Sequence, residues 1–86
     1  MDAVKLLGRQ NDVEYKISEK YSVGFYTVAG YAVFRYYEKR ELGIWEIDRD
    51  RMLGPLYEEE LKKLFKFEAE KKEEYKKYQV YGIWEK

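Results

Sequence analysis

The spacing of apolar residues changes between residues 48 and 55 of this chain, and the change constrains the fold more strongly than any other feature of the sequence. Between residues 12 and 48, short segments alternate apolar and polar side chains, which is typical of strands with one buried face. Between residues 55 and 77, apolar side chains instead recur every three or four positions, as in an amphipathic helix. Strands followed by a long helix predict an α+β fold.

Four strands are predicted in the first part of the chain and one more at its end. The first four form a β-meander over residues 12–48, and their ranges are 12–18, 22–28, 31–38 and 43–48. Aromatic and β-branched residues, which favour strands, are abundant in these segments. The segment 79–85 is predicted as the last strand, with a helix that continues through residues 70–86 as the alternative. We therefore expect an antiparallel sheet of four to five strands.

The two-residue junction Ala29-Gly30 predicts how the second and third strands are aligned, because a hairpin loop of this length fixes their register. On one face, the register brings together three mainly apolar pairs: Thr27 with Ala32, Phe25 with Phe34, and Val23 with Tyr36. On the other face, it brings together four more polar pairs: Val28 with Tyr31, Tyr26 with Val33, Gly24 with Arg35, and Ser22 with Tyr37. We expect the apolar face to belong to the core. A slip of one residue would exchange the two faces of one strand.

One long C-terminal helix is predicted from residue 55 to residue 77. Pro55 suits the first helical position, and the acidic residues 58–60 suit the first turn because of the helix dipole. The apolar residues on one side of this helix are Tyr57, Leu61, Leu64, Phe65 and Tyr75. We expect this side to pack on one face of the sheet, against Phe25, Phe34, Val23 and one or both Trp residues. Residues 1–10 are predicted as a short N-terminal segment, and residues 1–86 as a single domain.

The composition argues against several classes of function. The chain has no Cys and no His, so it lacks thiolate nucleophiles, the commonest general base and the commonest transition-metal ligands. Its 17 basic and 17 acidic residues cancel, whereas proteins that hold duplex DNA by its phosphates usually carry excess positive charge. We therefore predict a protein that is not an enzyme and that has no cofactor and no metal site.

The more polar face of the second and third strands carries the candidate site, which consists of Tyr26, Tyr31, Arg35 and Tyr37. Tyr and Arg are enriched where proteins bind each other, and one helix cannot cover both faces of a five-stranded sheet. The first hypothesis is therefore a small protein–protein interaction module, acting as a homodimer or on another protein. The alternative is weak binding of single-stranded nucleic acid, in which the tyrosine rings stack on bases.

A second alternative depends on the order of elements between residues 22 and 86. Strands, an arginine-containing loop, a helix and a final strand make this region loosely similar to the middle of GNAT-type acetyltransferases. That family binds phosphate through the motif Arg/Gln-x-x-Gly-x-Gly/Ala. Here Arg51 and Gly54 match the motif, but Leu56 stands in place of the second small residue. The resemblance implies an acetyltransferase-like or acyl-CoA-binding remnant.

The remaining expectations concern the cellular setting. No apolar run approaches the roughly 20 residues that span a bilayer, and the N-terminus lacks the pattern of a signal peptide. We therefore expect a cytoplasmic protein that does not enter a membrane. Abundant Glu, Lys and Tyr with few Asn, Gln, Ser and Thr are typical of thermophile proteins. With the small size, this pattern indicates a regulator or inhibitor from a mobile element or virus of a thermophile.

Overall fold

The computed structural model describes residues 11–77 and the backbone of residues 79–81. In that part of the chain the elements, in order, are β1 (Val13–Lys16), β2 (Tyr21–Val28), β3 (Tyr31–Arg40), β4 (Gly43–Ile47), α1 (Arg49–Leu53), α2 (Glu58–Glu74) and β5 (Gln79–Tyr81). The predicted α+β class is confirmed. None of the helices in the described residues is long and apolar enough to cross a bilayer.

The first four strands form an antiparallel meander in the order β1-β2-β3-β4, as the alternation of residues predicted. The strand β5 differs from the expected antiparallel arrangement, because it runs parallel to β3 beside Tyr31–Val33. Since β2 covers one edge of β3, β4 and β5 share the other edge, at opposite ends of that strand. The alternative of a helix through residues 70–86 is wrong. The rest of the predicted last strand, 82–85, lies outside the described residues.

The predicted register of β2 and β3 is confirmed over its whole length, from Ser22 aligned with Tyr37 to Val28 aligned with Tyr31. Ala29 and Gly30 form the loop with φ angles of 50° and 84°. Two residues with positive φ give a turn whose twist matches that of the flanking strands, which explains why so short a loop suffices. Ala29 adopts this left-handed conformation at a cost of roughly 1–2 kcal/mol, which the paired strands offset.

The helix predicted over residues 55–77 is shorter in the structure, and a further helix that the sequence did not predict precedes it. The short helix α1 occupies the charged segment before Gly54, and α2 begins at Glu58. The Glu60 carboxylate accepts a hydrogen bond from the Tyr57 N–H at 3.1 Å. This contact caps the first turn and fixes the start of α2 after Tyr57, rather than at Pro55.

The core lies between α2 and the face of the sheet that carries Phe25 and Phe34. The main buried apolar residues are Ile17, Tyr21, Val23, Phe25, Ala32, Phe34, Tyr36, Ile47, Met52, Leu64 and Phe67. The Phe67 ring of α2 lies 5.3 Å from the Tyr15 ring and 6.2 Å from the Phe34 ring, measured between centroids. The Tyr75 ring lies 4.8 Å from that of Phe25. The expectation that the apolar face of β2 and β3 is core is therefore confirmed.

The predicted inner side of the long helix is correct at Leu64 and Tyr75 but wrong at Tyr57 and Phe65. Tyr57 is 79% exposed because it precedes α2 in extended backbone, so helical spacing does not apply to it. Phe65 is 46% exposed because it lies about 100° around the helix from Leu64. Phe67 and Glu68 take the inner positions instead.

Candidate interaction surfaces

The four residues of the predicted site lie together on the face of the sheet opposite α2, which we call the second face. Tyr26 belongs to β2, and the other three belong to β3. Arg35 and Tyr37 are only 7% and 3% exposed, whereas Tyr31 is exposed and Tyr26 is half-buried. The structure therefore brings the four residues onto one surface but leaves only two tyrosine rings accessible to a ligand. Their role in binding stays a prediction.

The buried pair Arg35 and Tyr37 forms a packed polar layer with its neighbours. The Arg35 guanidinium lies 4.2 Å from the centre of the Tyr26 ring, a cation–π contact. Burial lowers the pKa of Arg35, but hydrogen bonds with Tyr26 and Tyr37 outweigh this effect and raise the pKa overall. Burial raises the pKa of Tyr37 as well. Both side chains therefore keep their ordinary charge states and serve as structure at the centre of this face.

Asn11 completes this layer beside Gly24. Its amide nitrogen donates to the Tyr37 hydroxyl at 2.9 Å and to the Glu14 carboxylate at 3.2 Å. A Cβ at position 24 would overlap the Asn11 side chain, so this packing requires glycine at that position. The prediction that Gly24 is aligned with Arg35 is confirmed. The role of Asn11 was not predictable, because its contact with Tyr37 joins two distant parts of the chain.

A second candidate surface lies at the hairpin of β3 and β4. Three large apolar residues within four positions are exposed there: Leu42 by 89%, Ile44 by 41% and Trp45 by 47%. We call these three residues the hairpin surface. Ile44 is aligned with Lys39 and therefore lies on the second face, whereas Trp45, aligned with Glu38, lies on the face of α2. The surface thus wraps around the edge of the sheet.

The hairpin surface also includes the backbone N–H and C=O groups on the outer edge of β4. Along a strand, successive residues direct their N–H and C=O groups to alternate sides. Lys39 donates its N–H to the Lys20 carbonyl at 2.7 Å, so the odd-numbered residues of β3 point toward β2 and the even-numbered ones toward β4. The even-numbered residues of β3 are aligned with odd-numbered residues of β4, whose backbone groups therefore point toward β3. The even-numbered residues of β4, Ile44 and Glu46, direct their N–H and C=O groups outward, away from β3. No other strand in the described residues pairs with this edge.

A buried carboxylate holds the base of the hairpin. Glu38, aligned with Trp45, accepts a hydrogen bond from Arg40 Nε at 2.9 Å and lies 3.3 Å from Lys20 Nζ. The Tyr21 hydroxyl donates to the same carboxylate at 3.4 Å. The hydrogen bond from Arg40 is the main reason why the pKa of Glu38 is lowered. The Arg40 guanidinium also lies 5.4 Å from the centre of the Trp45 ring, so the exposed indole is held in place.

We expect the substitution Glu38→Gln to lower the free energy of unfolding at pH 7, and this difference from wild type to shrink as the pH falls. An ionised carboxylate with a lowered pKa stabilises the fold fully above the ordinary Glu pKa, about 4.3. This contribution is lost as the pH falls through the lower pKa of the folded state. Urea unfolding at pH 7 and pH 3 measures the effect, with Glu41→Gln in the exposed turn as the control. A difference that does not depend on pH would contradict this account of Glu38.

Two further kinds of site, for a metal ion and for a phosphate group, find little support in the geometry. In the described residues, no group of three acidic side chains lies close enough to hold a metal ion. The phosphate loop implied by the acetyltransferase resemblance would require an anion at the start of α2, where Glu58, Glu59 and Glu60 stand in the first turn. Three carboxylates oppose a bound phosphate. A groove of about 350 Å³ near Ile44 is lined by lysines and glutamates in nearly equal number.

The sequence alone does not reveal the hairpin surface. Ile44 reads as an ordinary strand residue and Trp45 as a contact of the helix, because the sequence does not show that β4 ends the meander with an unpaired edge. Trp45 is instead 47% exposed, and Trp84 lies outside the described residues. The available signal was Leu42, a large apolar residue inside an otherwise polar turn. Comparisons with protein-family models, with curated proteins and with solved structures find no match for this chain.

Proposed function

We propose that this protein is a small non-enzymatic protein–protein interaction module whose partner binds the hairpin surface. The observation that carries the proposal is the exposure of Leu42, Ile44 and Trp45 at the outer edge of β4. Single exposed apolar residues are normal in proteins, but a cluster at an unpaired strand edge is typical of a binding site. A partner strand added there would contact Ile44 on one face and Trp45 on the other.

The contacts at the base of the hairpin support the same proposal. The Glu38 carboxylate ties β3 to Arg40 and Lys20, and Arg40 in turn contacts the Trp45 ring. A binding residue held in place loses little side-chain entropy when a partner docks. Trp and Arg are also the residues that most often dominate the binding energy of protein interfaces. The paired Arg40 and Trp45 therefore form a suitable anchor.

The other hypotheses receive less support from the contacts. Stacking of nucleic-acid bases on the second face has only Tyr31 and part of Tyr26 available, because Arg35 and Tyr37 are buried. The chain also carries no net positive charge to attract phosphates. The expected origin in a mobile element or virus of a thermophile is consistent with an interaction module and stays a prediction based on composition.

A photo-crosslinking residue, p-benzoylphenylalanine, introduced at position 42 tests this proposal in an extract of the source cells. Leu42 is so exposed that its replacement leaves the fold intact, which circular dichroism checks. We expect one discrete adduct from position 42 and its loss when Trp45→Glu is added. The control carries the same residue at position 65, where Phe65 is exposed to a similar extent as Trp45. Equal adducts from positions 42 and 65, or none from either, would refute a specific role of the hairpin surface.

A further inference from the structure

We infer that the partner of the hairpin surface is a second copy of this chain, and that β4 pairs with β4 of that copy in antiparallel orientation. This inference rests on the proposed function and names its partner. The two copies would be related by a two-fold axis that passes beside Trp45. The strands β1 to β4 of each copy would then form one continuous antiparallel sheet of eight strands.

The edge of β4 is better suited to such pairing than the edge of β1, the opposite edge of the meander. In β1, the alternate residues whose backbone groups point away from β2 are Glu14 and Lys16, and both side chains are charged and exposed. Charged side chains on a short edge strand discourage pairing with another chain. In β4, the residues whose backbone groups point outward are Ile44 and Glu46. The exposed Trp45 lies between them, with its side chain on the other face of the sheet.

The choice of a second copy follows from the three registers in which β4 can pair with itself. A register centred on Glu46 places two carboxylates directly opposite each other, which is unfavourable. A register centred on Ile44 makes one pair of backbone hydrogen bonds and places Trp45 opposite Gly43 of the partner copy. A register centred on Trp45 makes two such pairs, because Ile44 of each copy forms backbone hydrogen bonds with Glu46 of the other. It also places the two Trp45 side chains opposite each other, a favourable aromatic pair.

Charges on the second face agree with the register centred on Trp45. Glu46 of one copy would lie beside Ile44 of the other, whose neighbour on β3 is Lys39. Strands are about 4.8 Å apart, so Lys39 and this Glu46 would stand two strands apart, within reach of their side chains. Within the described residues, neither Lys39 nor Glu46 belongs to a salt bridge. Within one copy, Lys39 and Glu46 are already diagonal neighbours on β3 and β4. The two-fold axis would bring a further opposite charge within reach of each of them, twice in the dimer.

Sedimentation velocity of the purified protein between about 1 and 200 µM tests the inference. We expect a reversible monomer–dimer equilibrium in the wild type. The substitution Ile44→Pro removes one outward N–H from each copy and should weaken the dimer roughly 10- to 100-fold, as expected for two lost hydrogen bonds. The matched control is Lys16→Pro, which removes an outward N–H from the edge of β1 and should leave the dissociation constant unchanged. Circular dichroism checks that both variants fold.

A disulfide test fixes the register, because the natural chain contains no cysteine. Residues directly opposite each other at a non-hydrogen-bonded antiparallel position have Cα atoms about 4.5 Å apart, a distance that a disulfide can span. We expect Trp45→Cys to form a covalent dimer under mild oxidation much faster than Leu42→Cys, although Leu42 is the more exposed side chain. Equal rates would overturn the register centred on Trp45.

The outcomes separate this inference from the proposed function. A wild type that stays monomeric up to 200 µM overturns self-pairing, whereas the adduct at position 42 still tests binding of another protein. A dimer that is lost in Lys16→Pro and kept in Ile44→Pro overturns the choice of edge. The charge exchange provides a last check. Lys39→Glu and Glu46→Lys should each weaken the dimer, and the double variant should restore it.

Discussion

We expect the substitution Phe67→Ala to lower the free energy of unfolding by about 3–5 kcal/mol, and Phe65→Ala to lower it by less than about 1 kcal/mol. The two residues are chemically identical and lie two positions apart in α2. Phe67 is 6% exposed between the rings of Tyr15 and Phe34, so its loss leaves a cavity. Phe65 is 46% exposed, and the Arg49 guanidinium lies 5.5 Å from its ring centre.

Urea unfolding followed by far-ultraviolet circular dichroism measures both variants under the same conditions. The gain in helix propensity from Phe to Ala is the same at both positions, so it cancels in the comparison. The difference between the two losses therefore reports how α2 is rotated on the sheet. Losses of similar size, or a larger loss at Phe65, would mean that the helix presents the side that the sequence pattern alone predicts.

The sheet was predictable where local chemistry decides its geometry. Because the loop Ala29-Gly30 has only two residues, it fixes the register of β2 and β3. The core face then follows from the alternation of apolar and polar residues. The direction of β5 was not predictable in this way. An alternating segment indicates a strand, but the pattern is the same for parallel and antiparallel neighbours. The partner of β5 depends on where α2 ends, which is a matter of tertiary structure.

The helix and the candidate site show more clearly what the spacing of residues along the sequence does not predict. Helical periodicity assigns a side only to residues inside the helix, and Tyr57 lies before its first turn. A Glu within a run of charged residues reads as exposed, yet Glu68 is buried because Arg49 and Tyr36 approach it from distant parts of the chain. Arg35 also reads as a surface cation, and its contact with Tyr26 makes it part of a packed layer instead.

The second large effect concerns the ion pair between the partly buried Arg49 of α1 and the buried Glu68 of α2. Arg49 Nε and one terminal nitrogen donate to the two oxygens of Glu68, each at 3.0 Å. The Tyr36 hydroxyl of β3 donates to the same carboxylate at 2.7 Å. The hydrogen bond to Glu68 raises the pKa of Arg49, and burial followed by the charge of Glu68 raises the pKa of Tyr36. One carboxylate thus connects two helices and a strand.

We expect Arg49→Met to lower the free energy of unfolding by about 3–5 kcal/mol, because it leaves the Glu68 carboxylate buried without its cation. The control is Arg51→Met in the same short helix. The Arg51 side chain is largely exposed and approaches Glu38 only to 3.7 Å, so its loss should cost less than about 1 kcal/mol. Urea unfolding at pH 7 measures both variants. Equal losses for the two arginines would show that burial does not make the Arg49–Glu68 pair special.

The double variant Arg49→Met with Glu68→Leu separates the two contributions of this pair. A buried ion pair attracts strongly but also loses its hydration, so its replacement by apolar residues of similar size is often close to neutral. We therefore expect the double variant to regain most of the stability that Arg49→Met loses, although the Tyr36 hydroxyl then lacks its acceptor at a cost of about 1–3 kcal/mol. Adding Tyr36→Phe should remove that cost. A triple variant that unfolds as easily as Arg49→Met would show that the pair itself, and not only the avoidance of an unpaired charge, holds both helices to β3.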